Sequence, residues 1–366
     1  MVARIHGGNP EEVARKHGMD SKKIVDFSSN INPYGPPLTV INYLNQIKIE
    51  DIADYPDIRC ADLRCLLAKK IAVNTDNLLV TNGSSEAIFL LANHFLPGRA
   101  LIIIPTFCEY EVAIASVGGK IKRLRLKKEE NFNLSPDAAI ALLERVDMIF
   151  LCNPNNPTGN LHSRDALVRL LEEARRKDVF LVVDEAFMDF VSAKEDFTLK
   201  SLVSDFNNLA VLGSLTKFYS LAGLRVGYVV SNEILISKLS NRVPVWNVNA
   251  IAQKATVLAL KDGDFERTAL EKNVKAKEKL IISLNKTSCL KVYPSEANFL
   301  LVEIKRDGFN LEEFCSSLLS YGFYIRSCAS FDGLSENFVR IAIRSEKENS
   351  NLVEAIEKVL LERGCE

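Results

Sequence analysis

Gly213-Ser214-Leu215-Thr216-Lys217-Phe218 is followed by Gly223-Leu224-Arg225-Val226-Gly227-Tyr228, and the pair is the most informative part of the chain. It follows the apolar run 209–212, which reads as a buried strand. The strand ends in hydroxyl residues and a lysine, and an arginine between glycines comes eight positions later. Outward from it, apolar runs of strand length alternate with amphipathic stretches. Strands are predicted at 78–81, 101–104, 148–152, 180–183 and 226–230, with helices at 84–95 and 164–177. Such alternation predicts an α/β fold with a mostly parallel sheet covered on both faces. Ligands in such sheets bind at the carboxyl ends of the strands.

Both ends of the chain read differently. Residues 1 to about 50 carry turn signals such as Asn32-Pro33 and Gly35-Pro36-Pro37. From about 234 the pattern turns helical, with strands at 290–293, 298–304 and 338–343. The expected division is an N-terminal segment 1–48 that joins a small domain, a large domain 49–245 and a C-terminal small domain 246–366.

The 366 residues are 47% apolar and 25% charged, with a net charge of −1. That is globular composition, and it supplies no global field for nucleic acid or an anionic membrane. The cluster Lys120-Ile121-Lys122-Arg123 reads as a solvated face. Eight cysteines show no Cys-x-x-Cys pair or zinc-type spacing. Several, including Cys152, lie in apolar runs and read as buried reduced thiols. No signal peptide or membrane-length apolar run is visible, so the expected location is cytoplasmic.

The chemistry gathers at strand ends. Asp184 closes the apolar run 180–183, where a carboxylate is costly unless paired. Asn153-Pro154-Asn155-Asn156-Pro157-Thr158-Gly159 follows another buried strand. Gly83-Ser84-Ser85 lies at a strand-to-helix junction, a ready anion site. Arg326 and Arg340 lie in apolar runs, and together they suggest an anionic substrate.

Together these segments resemble the aspartate-aminotransferase-like superfamily, the fold type I enzymes that use pyridoxal 5'-phosphate. The resemblance implies a large domain with a mostly parallel seven-stranded sheet between helices, and a smaller α+β domain from both termini. It makes Lys217 the Schiff-base lysine and Asp184 the partner of the pyridine nitrogen. Gly83, Ser84, Ser85, Ser214 and Arg225 would hold the phosphate, and Phe107 would stack on the ring. Asn156 would meet the phenolic oxygen. Tyr55 would reach the neighbouring subunit's cofactor phosphate, implying a homodimer with shared active sites. Many aminotransferases of this group have a tyrosine where Asp184-Glu185-Ala186-Phe187 has Phe187.

More specifically, the chain resembles the threonine-phosphate decarboxylases of cobalamin biosynthesis, close relatives of histidinol-phosphate aminotransferases. His6-Gly7-Gly8-Asn9 and Asp184-Glu185-Ala186-Phe187-Met188-Asp189-Phe190 carry most of that likeness. The family would place His6, Gly7, Asn30, Asn156, Arg326 and Arg340 on the substrate. The implied reaction converts L-threonine O-3-phosphate to (R)-1-amino-2-propanol O-2-phosphate. Ser84-Ser85-Glu86-Ala87 leans toward the aminotransferase pattern, which keeps that activity as the alternative. A catalytically silent, cofactor-binding regulatory protein is the remote one.

Overall fold

The computed structural model describes residues 6–95, 97–306 and 308–364. Its strands are β1 (Val25–Asp26), β2 (Leu78–Thr81), β3 (Arg99–Ile104), β4 (Lys120–Arg125), β5 (Met148–Cys152), β6 (Phe180–Asp184) and β7 (Leu209–Ser214). After them come β8 (Gly227–Ser231), β9 (Leu290–Val292), β10 (Phe299–Ile304), β11 (Phe323–Tyr324), β12 (Arg326–Ser327) and β13 (Phe338–Ala342).

Seven strands form one sheet in the order β2-β8-β7-β6-β5-β3-β4. All its pairings are parallel except those that β8 makes with β2 and β7. Every residue of β5, β6 and β7 is buried, as expected of strands covered on both faces. Their side chains alternate between two cores. Ile149, Leu181 and Val211 meet Leu167, Leu170 and Leu171 of the helix Arg164–Arg176. Phe150, Val182 and Leu212 meet Ala87, Ile88 and Leu91 of the helix Gly83–Phe95. Each leucine buried this way contributes about 1.5–3 kcal/mol.

The expected strands are present with shifted ends. β7 runs on to Ser214, and β8 starts one residue late, at Gly227, after Arg225 takes a left-handed backbone (φ 56). β4 was not expected as a strand. Its charged residues make it an edge strand that discourages pairing with another chain. Arg123 is tied to Glu111 and Asp332, so the cluster is the solvated face its composition indicates.

The smaller sheet is antiparallel, in the order β12-β13-β10-β9. The helices Gly263–Leu284 and Glu346–Glu362 pack in the same apolar core. Ser345 and Glu348 form a capping box at the start of the second of these helices. β1 pairs in parallel with β11, bringing the two ends of the chain together.

The cysteines depart in part from expectation. Cys60, Cys152 and Cys328 are buried, but Cys65 is exposed, because it lies on the outer face of the helix Ala61–Lys70. None of the seven described cysteines forms a disulfide, and Cys365 lies outside the described residues. Among the described residues no helix is long and apolar enough to cross a membrane.

Candidate active site

A cavity of about 470 Å³ opens at the carboxyl ends of the large-sheet strands. Its floor follows from the sheet register. β6 delivers Asp184 and β7 delivers Ser214, with Thr216 and Lys217 in the turn that follows. Parallel neighbours end level, so residues far apart in sequence converge there.

One end of the cavity is built for an anion. The helix Gly83–Phe95 points its N-terminus inward, with Ser84 and Ser85 on the wall. Gly83 has φ +74, and a Cβ there would stand 2.6 Å from Nη2 of Arg225. A Cβ on Gly227 would stand 2.3 Å from the Ser84 amide nitrogen. Only glycine at both positions lets the arginine and the helix start come this close. Ser214 Oγ and Thr216 Oγ1 are 2.7 Å apart beside them.

Asp184 is 4% exposed. Its Oδ2 accepts from the Tyr110 hydroxyl at 2.7 Å and its Oδ1 from the Ala186 amide at 3.0 Å. Burial pushes its pKa up, while Tyr110, the Ala186 amide and the charge of Lys217 pull it back. Tyr110 is itself held by stacking on Phe150 at 5.1 Å. Lys217 is half-buried, and its pKa is pushed down to about 8. Burial is the main cause, Arg225 and Arg340 add to it, and Asp184 opposes.

Another part of the lining is cationic. Arg326 and Arg340 are directly opposed across the β12–β13 pair and are only 6% and 7% exposed. Like charges in that position repel. Arg340 donates to Asn156 Oδ1 and to the Ser28 carbonyl, each at 2.6 Å, while its buried Nε has no protein acceptor. Arg326 donates to the Ser327 carbonyl and to Ser330 Oγ. Phe299 and Phe331 lie against the two guanidiniums. The charged lining comprises Lys217, Arg225, Arg326 and Arg340 against Asp184 and Glu109, so it favours a ligand of negative charge.

His6 and Gly7 also line the cavity. The terminal segment is docked there by the Gly8 amide, which donates to Ser28 Oγ at 2.8 Å. Gly7 packs so closely that a Cβ would stand 2.3 Å from the Ser28 carbonyl oxygen.

Of the residues singled out from sequence, His6, Gly7, Asn30, Ser84, Ser85, Phe107, Asn156, Asp184, Ser214, Lys217, Arg225, Arg326 and Arg340 share this cavity. Gly83 stands behind the wall against Arg225. Tyr55 is elsewhere, 78% exposed and stacked on Trp246 at 4.2 Å. Phe187 lines the cavity with its ring edge-on to Phe299 at 5.0 Å. Tyr110 was missed, and Thr216 was noted only as one of the hydroxyls beside the lysine. Tyr110 lies in the first turn of the helix Glu109–Ser116, where a fully buried tyrosine reads as core.

The family described as aminotransferase class I and II matches residues 22–356. Threonine-phosphate decarboxylase of Salmonella typhimurium is 35% identical over 97% of this chain and 96% of its own length. Histidinol-phosphate aminotransferase of Methanocaldococcus jannaschii is 33% identical over 97% of this chain and 94% of its own. The crystal structure of L-threonine-O-3-phosphate decarboxylase from Porphyromonas gingivalis superposes with a TM-score of 0.82 at 28% identity, covering 92% of this chain and 100% of that one. The similarity to the two activities is equally strong.

Proposed function

The chain belongs to the aminotransferase class I and II family, and on that footing we propose that it decarboxylates L-threonine O-3-phosphate to (R)-1-amino-2-propanol O-2-phosphate, a step of cobalamin biosynthesis. It has the fold type I architecture, and its cofactor is pyridoxal 5'-phosphate. The residues present fit that group. The Gly83 cradle with Arg225, Ser84, Ser85 and Ser214 suits a phosphate, Phe107 a ring face, and the buried Asp184 a protonated ring nitrogen.

The observation that carries the proposal is the opposed, buried pair Arg326 and Arg340. Two guanidiniums side by side call for two anionic groups on one small molecule, and threonine phosphate brings a carboxylate and a phosphate. Phe187 supports the same reading, because no hydroxyl stands at that position. The alternative, a histidinol-phosphate-type aminotransferase, is favoured by Ser84-Ser85-Glu86-Ala87 and by the equal similarity to that family.

The cofactor, when bound, supplies an aldehyde for imine exchange and an electron-poor ring that takes up the electron pair of the bond broken at Cα. Asp184 would hold the proton on the ring nitrogen, and the Tyr110 hydroxyl fixes that carboxylate. Arg326 and Arg340, with His6 and Asn30, would hold the anionic groups of the substrate and so select which bond of Cα breaks. With the carboxylate selected, the bond from Cα to it would break to release carbon dioxide, and Lys217, which lines the same cavity, would deliver the proton that replaces it at Cα. Tyr55, exposed on one chain, would reach the cofactor phosphate of a partner, making the working unit a homodimer.

Only the free amine of Lys217 attacks an aldehyde. Its pKa lies near about 8, so raising the pH through that value fills the reactive form. The rate at which apoprotein captures cofactor should therefore rise with a midpoint near about 8. A midpoint at ordinary lysine values would contradict the assigned environment. Arg340→Ala should raise KM for the phosphorylated amino acid roughly 30-fold or more, as expected when one partner of a buried charge pair is cut away. An unchanged KM would remove Arg340 from substrate binding.

The proposal is tested by assaying holoenzyme on threonine phosphate without a keto acid, beside histidinol phosphate with 2-oxoglutarate. Amino-propanol phosphate in the first assay is expected. Glutamate in the second, with no product in the first, would select the aminotransferase.

A further inference from the structure

His6, Cys108 and Glu109 bring one ligand atom each to within 4.8 Å of one another at the cavity wall. The His6 Nε2 to Glu109 Oε1 distance is 3.0 Å, a hydrogen bond between two potential metal ligands. In that bond a proton occupies ground a cation could take. The sequence shows no metal-type spacing because the donors come from segments about a hundred positions apart. They meet because Gly7 and Gly8 seat the terminal segment on Ser28, while Cys108 and Glu109 open the helix Glu109–Ser116.

We propose that His6, Cys108 and Glu109 form a site for a thiophilic divalent cation, zinc being the best match. A thiolate, an imidazole and a carboxylate are the three ligand types zinc takes from proteins, at about 2.0–2.3 Å. Tetrahedral bonds of that length set ligand atoms about 3.3–3.8 Å apart. The His6–Glu109 contact must therefore open slightly, and the widest separation must close by about an ångström. His6 is 43% exposed and Glu109 is 12% exposed, so the cluster is open to entry and leaves a fourth position for water. Magnesium, which prefers an all-oxygen octahedron, is a poor match.

Occupancy has a functional consequence. His6 lies against Phe107, with ring centroids 5.8 Å apart. A cation on His6 and Glu109 would fasten the terminal segment over that ring and tie up His6, which the proposed function places on the substrate. Zinc is therefore an inhibitor, whichever phosphorylated amine the enzyme uses. Binding itself is read without substrate, so its outcome is separate from that of the proposed reaction.

The experiment is zinc titration of the full-length holoenzyme against a chromophoric chelator. One equivalent per chain is expected, with proton release, since the thiol binds as a thiolate. Cys108→Ser and Glu109→Gln should each weaken that equivalent at least tenfold. Cys65→Ser, at an exposed thiol outside the site, should leave it unchanged. No saturable equivalent, binding that survives Cys108→Ser, binding lost with Cys65→Ser, or displacement by equimolar magnesium would each overturn the assignment.

Discussion

Lys217→Ala should lower turnover by about 10⁴–10⁶-fold, the scale seen when a covalent catalytic group is deleted. The variant should nonetheless fold as well as the parent. The lysine's main-chain carbonyl, which accepts from the Asn32 amide at 3.0 Å, is kept. Its side chain pays a burial cost when charged, which is why its pKa lies well below the ordinary lysine value. Removing it relieves that cost near neutral pH, so the melting temperature should be unchanged or slightly higher. Turnover within tenfold of the parent, with normal folding, would show that another amine does the work.

Glu185→Ala should be the most damaging single change to stability outside the apolar core. Glu185 follows the cavity carboxylate but turns away from it into the protein. Its side chain is 0% exposed and meets Lys200 Nζ at 2.7 Å, itself 8% exposed. Thr198 Oγ1 and the Leu199 amide also donate to Glu185. Burial pulls the pKa of Lys200 down, but the neighbouring carboxylate outweighs it and keeps the ammonium charged. Without Glu185 that buried cation loses its ion-pair partner and keeps only the more distant charge of Asp189, which costs about 3–5 kcal/mol. Denaturant unfolding should show the loss. Replacing both partners with apolar residues should recover most of it, because a buried pair gains little over good packing. A cost under about 1 kcal/mol for the single variant would mean water reaches the site.

Much of this architecture was legible in the sequence, for reasons that individual residues make clear. Strands covered on both faces leave uninterrupted apolar runs, as in β5 and β6, and their ends mark where chemistry is placed. Asp184 and Lys217 stood out because each is polar at the end of such a run. β4 was hidden because an edge strand alternates lysine and arginine with isolated apolar residues, like any solvated segment. Tyr110 was hidden because a buried tyrosine in an apolar helix reads as core, and only its hydroxyl contact with Asp184 gives it a role. Arg326 and Arg340 were visible singly. That they face each other across two strands depends on pairing register, which no local pattern specifies.

That opposed pair is the ground for choosing between two reactions that use different phosphorylated amines and break different bonds of Cα. The direct measurement uses threonine phosphate deuterated at Cα, supplied to holoenzyme without a keto acid. Decarboxylation predicts one carbon dioxide per product and full retention of deuterium in the amino-propanol phosphate. Loss of the deuterium to solvent without release of carbon dioxide would contradict it, since the bond broken would then be Cα–H.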